Sequence, residues 1–231
     1  PASSSAAASL SAALALLAMR QAHALTIDDL SAGDASKGLK AALEKGATAA
    51  VSLLGRQDGF LGNPKVRIPL PGYLEDAGKM LRMVGQGSRI DELVTAMNRA
   101  AEQAVPAAKD LLVNAVRTMS VADAKGILVG GGTSVTHFFA GKTRAPLTEP
   151  FLARVTSATA KAKLAEKYNS LAGKAAGYGL VKKEDANIQR YVTGKSLDGL
   201  YLMIGEEERK IRQDPVASGS AILQKVFGAL R

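Results

Sequence analysis

Leu39, Leu43, Ala47, Ala50, Val51 and Leu54 recur every three or four residues, the spacing of one face of an α-helix. Asp34 before this run and Gly55 after it supply a start and a stop for that helix. The pattern repeats downstream. A second helix is expected over 72–84, closed by Gly85. A third starts at Ser88, where Asp91 makes a short variant of the capping box, and carries Ile90, Leu93, Val94, Met97, Ala101 and Ala104 as its stripe. Pro106 suits the first turn of a fourth helix, where a missing N–H costs nothing. Ser120 and Asp123 repeat the capping pattern for a fifth, which the glycines at 130–132 end. Beyond them, "TSVTHFFAG" reads as one or two helical turns. Thr148 caps a helix over 149–163, and Leu164, Tyr168, Leu171 and Ala175 mark another. Asp185 opens a long helix over 186–212, and Asp214-Pro215 opens a last one. Alternating βαβ signals are absent, which argues against a parallel-sheet fold. The expected fold class is therefore mainly all-α, a multi-helix orthogonal or bundle-like domain.

Residues 6–19, "AAASLSAALALLAM", form an apolar run interrupted only by Ser9 and Ser11, and Ala22-His23-Ala24 follows as a small-x-small site. That layout is the h-region and cleavage site of a secretory signal, and the run is too short to span a bilayer. We therefore expect a signal peptide over 1–24, truncated at its start since the chain begins at Pro1 without Met. A single helical domain over 25–231 follows, periplasmic and without a transmembrane segment. The absence of cysteine excludes disulfides and thiolate metal sites. Lys and Arg number 30 against 21 Asp and Glu, a balance that favours anionic partners. The cations are scattered and aromatics make up 4%, so the stacking platforms of single-strand binders are lacking and no nucleic-acid partner is expected.

One stretch breaks the helical pattern: "GRQDGFLGNPKVRIPLPGYL" at 55–74. In "KVRIPL", Lys65 and Arg67 alternate with Val66 and Ile68, a strand periodicity. With Asn63-Pro64 as a turn, this predicts a small β-hairpin near residues 58–70, and Pro69 and Pro71 confine it to an edge. Two uses are open. The hairpin could cover the end of the core, with Phe60, Val66 and Ile68 inward. Alternatively, it could be a docking edge for an extended partner, or Asn63, Lys65 and Arg67 could hold an anionic ligand.

Few residues elsewhere carry chemistry. "AGKT" at 140–143 lacks the upstream glycine of a phosphate loop. His137 has no second histidine beyond residue 24 to form a metal site with, and no catalytic residue, metal or cofactor is assigned. "EEERKIR" at 206–212 reads as a solvated helix face with Glu206–Lys210 and Glu208–Arg212 pairs. Asn98, Arg99 and Glu102 share one helix. Tyr191 and Asp198 lie on a strongly apolar one, where Asp198 needs a cationic partner or a raised pKa. These residues are candidate ligand or partner contacts.

"AMNRAAEQAVPAAK", "MSVADAKGIL" and "YNSLAGKAAGYGLVKKEDANIQRYVTGKSLDGLYLMIGEEE", with the 55–74 stretch and "PVASGSAILQKVFG", resemble the domain of unknown function 4197 family over essentially the whole chain after residue 24. The resemblance implies an exported helical protein of Gram-negative bacteria and implies no activity. The chain departs from the family at Ala140-Gly141, where an aromatic followed by Arg is more usual, and at Gly205, often Ala. The expected function is a non-enzymatic periplasmic binding or protein-interaction module, with an unknown protein or an anionic envelope component as partner. The alternatives are an enzyme or small-ligand site built on a buried carboxylate, Tyr and Arg cluster around Asp198, and weak association with anionic envelope lipid.

Overall fold

The computed structural model describes residues 32–85, 87–131, 133–160, 166, 168–169 and 187–214. The expected signal segment, the helix near Leu164–Ala175, the Asp185 cap and the final helix lie outside these residues. What is described is mainly helical. In chain order come α1 (Ala32–Gly55), α2 (Gly72–Met83), α3 (Gly87–Ala104), a 3-10 turn (Val105–Ala108), α4 (Lys109–Arg117), α5 (Val121–Val129), α6 (Ser134–Thr159) and α7 (Ile188–Gln213). Helix α7 packs against both α6 and α1, α3 lies on α6, and α1 also meets α4. The stripe of α1 is buried as its spacing requires, from Leu39 to Leu54, and that of α3 likewise.

Local signals explain several boundaries. At the start of α5 the Ser120 side chain accepts from Asp123 N at 3.0 Å and the Asp123 carboxylate accepts from Ser120 N at 3.1 Å, a complete capping box. Asn187 caps α7 by accepting from Arg190 N at 3.0 Å.

Three expectations are corrected. The first is the β-hairpin: residues 56–71 form no strand. The alternation survives as burial, since Val66, Ile68 and Leu70 point inward and Lys65, Arg67 and Pro69 outward. No second strand pairs with it; side chains of α3 and α7 take its backbone groups. The second concerns 134–159, expected as two helical pieces. It is one helix running through Pro146 and Pro150. Both prolines are exposed, whereas Phe139, Leu147, Phe151 and Val155 are fully buried, so packing along one face overrides the local break. Thr148 caps nothing; its hydroxyl donates back to Arg144 O at 2.8 Å. The third is the charged run at 206–212. Glu208 is buried rather than solvated, although its pair with Arg212 forms at 2.7 Å. Lys210 pairs with Glu207 instead of Glu206.

Candidate functional site

The site is the irregular segment 56–71, which connects α1 to α2. It has a few turns of its own, such as Arg67 N to Asn63 O at 2.8 Å and Gly62 N to Asp58 O at 3.1 Å. The rest of its order comes from side chains on α3 and α7. Asn98, fully buried, accepts from Ile68 N at 2.8 Å and donates to Ile68 O at 2.9 Å. Its amide also donates to Val94 O one turn back in α3, at 2.8 Å. One turn further along α3, Glu102 accepts from Phe60 N at 3.0 Å and Leu61 N at 3.1 Å through one oxygen. Its other oxygen takes Arg99 at 2.7 Å. The i,i+4 spacing of Asn98 and Glu102 puts both on one helix face, so a single helix grips the segment at two points.

Arg99 extends the clamp. Its second nitrogen donates to Asp58 at 2.8 Å, and Asp58 is, among the described residues, the non-glycine one with positive φ, at 63°. Left-handed backbone costs an ordinary residue roughly 1–2 kcal/mol; here the side chain of Asp58 is engaged by a cation that also serves Glu102. From the α7 side, the Tyr191 hydroxyl donates to Pro69 O at 3.2 Å, and Lys65 pairs with Glu206 at 2.6 Å. Lys65, followed by the cation Arg209, holds the Glu206 carboxyl below the usual range. Phe60 is fully buried against Gly199 of α7: a Cβ there would stand 2.9 Å from the ring and 3.3 Å from Val66 Cβ. Glycine at 199 is what allows this segment to sit so close to the helix.

Of the residues singled out from sequence, Asn63, Lys65 and Arg67 thus lie on the segment, and Asn98, Arg99, Glu102 and Tyr191 hold it. Asn63 accepts from Lys65 N at 3.1 Å and so shapes the turn. Asp198 stands apart: it is exposed and pairs with Arg144 of α6, whose guanidinium also lies 5.8 Å from the Tyr201 ring centroid. Among the described residues the carboxylates of Asp198 and Glu102 share no hydrogen-bond partner. Asp58 and Gly199 were missed. A glycine interrupting the apolar run of α7 was the available signal for the second; nothing local marks the first.

Beside the segment lies an open groove of about 300 Å³. Pro69 with the edges of Leu70 and Val94 makes its apolar lining, and Arg67 with Glu75, Lys79 and Arg82 of α2 makes its charged lining. Arg82 is held by both oxygens of Asp91, at 2.6 and 3.2 Å. That contact is the first cause holding the Asp91 carboxyl low, and the charge of Arg67 adds to it. Among the described residues no group of three or more His, Cys, Asp or Glu is placed to hold a metal, and no helix is long and apolar enough to cross a membrane.

Comparison with known proteins gives a family and no activity. No curated protein and no solved structure matches the chain. The model of the family described as protein of unknown function, DUF4197, matches residues 29–228, and the chain belongs to that family.

Proposed function

We propose that the protein is a non-enzymatic binding or interaction module of the bacterial periplasm, and that segment 56–71 is its contact surface. One observation carries this reading: a long segment without secondary structure is held in one conformation by buried polar side chains. Connections longer than about 12–15 residues without helix or strand are uncommon in compact domains and are usually functional. A plain core cover needs only Phe60, Val66 and Ile68. Here Asn98, Glu102 and Arg99 add a polar network, and such networks fix one arrangement. Its outward face carries Arg56, Gln57, Pro64, Lys65 and Arg67. The apolar run and small-x-small site before residue 25 support export.

The test is photo-crosslinking in envelope extracts, with the reactive group at exposed Gln57 or Pro64 and, as control, at exposed Lys109. Discrete adducts from the two segment positions, absent from Lys109 and lost on Asn98→Ala, support the reading. Equal adducts from all three positions, or none from the segment, contradict it.

A second reading, association with anionic lipid, is favoured by Met83 and Val84, 86% and 71% exposed next to Arg82 at the end of α2. Apolar tips beside cations suit a membrane interface. Salt-sensitive flotation with phosphatidylglycerol vesicles, lost on Met83→Asp, supports this reading; no flotation at low salt removes it.

A further inference from the structure

The backbone of the segment is closed to strand addition at its extended stretch. Both groups of Ile68 are taken by Asn98, Pro69 has no N–H and its carbonyl accepts from Tyr191, and Arg67 N is bonded to Asn63 O. Recognition there falls to side chains. Arg67 is exposed and forms no ion pair with a described residue. Asp91, a carboxylate within its electrostatic reach, has both oxygens engaged by Arg82. An exposed guanidinium with no ion pair among the described residues, beside an apolar lining, suits an anion that carries an aliphatic neighbour.

We propose that this groove docks an extended peptide of a protein partner, with a carboxylate on Arg67 and an adjacent aliphatic side chain on Pro69, Leu70 and Val94. The proposal rests on the reading of segment 56–71 as the contact surface. The rim favours a peptide over a broad anionic face. Glu75 and Asp91 stand among its cations, and a rim of mixed sign complements a chain that places one carboxylate on Arg67 better than it complements a continuous anionic face. The volume, about 300 Å³, is at the small end for a small-molecule pocket.

The test probes an array of acetylated hexapeptides, with acidic and aliphatic positions permuted, using the fluorescently labelled chain at low salt. Retained peptides are expected to share Asp or Glu within two residues of Leu, Ile or Val. Retention should fall at least about threefold on Arg67→Ala and about tenfold on Arg67→Glu. Arg67→Glu should in turn retain counterparts with Lys in place of the acid. No acid-dependent retention, or retention indifferent to Arg67→Glu, overturns the proposal. So does Arg67-dependent binding to phosphatidylglycerol vesicles with no peptide retained, which assigns the groove to lipid. If crosslinks from Gln57 persist in Arg67→Glu while no peptide is retained, the groove is wrong and the contact surface stands. If the wild type gives no segment crosslinks, the wider reading has failed.

Discussion

Asn98 of α3 holds Ile68 by both of its backbone groups, accepting from the N–H at 2.8 Å and donating to the carbonyl at 2.9 Å. A carboxamide is the side chain that can do this, because it presents a donor and an acceptor side by side. It stands in for the neighbouring strand that the alternation of residues 65–70 invites. Asn98→Ala leaves two buried polar groups unpaired, each costing about 1–3 kcal/mol. We expect a loss of about 2–6 kcal/mol in urea denaturation.

Gly199 sets how closely Phe60 approaches α7. In Gly199→Ala the added methyl sits 2.9 Å from the Phe60 ring, so ring or segment must move. Overpacking costs about 1–3 kcal/mol, and the gain in helix propensity offsets up to about 1 kcal/mol. A net destabilisation of about 1–2 kcal/mol is expected, with chemical-shift changes at Phe60 and Val66. A stabilised variant would show that the contact is loose.

The Lys65–Glu206 bridge is largely open to solvent on the lysine side, at 58% exposure. Exposed pairs contribute little and are screened by salt. Lys65→Ala should lower the melting temperature slightly at low ionic strength, and the difference should vanish in 1 M salt, where the Debye length is about 3 Å. The lowered pKa of Glu206 means that this contribution is present above the unfolded value. It is lost as pH falls through the folded one.

Glu208 has the opposite sign. Burial raises its carboxyl above the ordinary range, against the lowering by Arg212. Its Oε2 has no close hydrogen-bond partner among the described residues, with the Val135 N–H lowering the pKa only weakly, in surroundings that include Leu43 and Ile204. The penalty for charge is therefore full above the folded pKa and is relieved as pH falls through it toward the unfolded value. Glu208→Gln should stabilise the protein at neutral pH, with the advantage shrinking on acidification across that window. A difference that grows on acidification contradicts this.

The helices were legible because apolar spacing and caps are local. The Ser120 and Asp123 capping box formed as read, and the stripes of α1 and α3 are buried. The 65–70 alternation also reported burial correctly. What it could not report was the partner: a strand and a carboxamide satisfy the same backbone groups, and the choice lies about thirty residues away. That residues 134–159 form one helix through Pro146 and Pro150 was not legible for the same reason, since the core behind Leu147 and Phe151 is not local. Asp198, expected in a buried cluster, is exposed and has the cationic partner it needs in Arg144 of α6, a contact that its own helix cannot announce. Asn98, Arg99 and Glu102 stood out as polar residues on an apolar helix, yet nothing nearby in the chain marked segment 56–71 as what they grip.

Amide hydrogen exchange at Phe60, Leu61 and Ile68 tests most directly whether segment 56–71 is a preformed surface. With Glu102 and Asn98 accepting these protons, exchange should be slow, near that of the α3 core amides. In Asn98→Ala, Ile68 should exchange fast while Phe60 and Leu61 keep most of their protection. Exchange of all three in the wild type at the rate of an unstructured peptide contradicts a clamped segment.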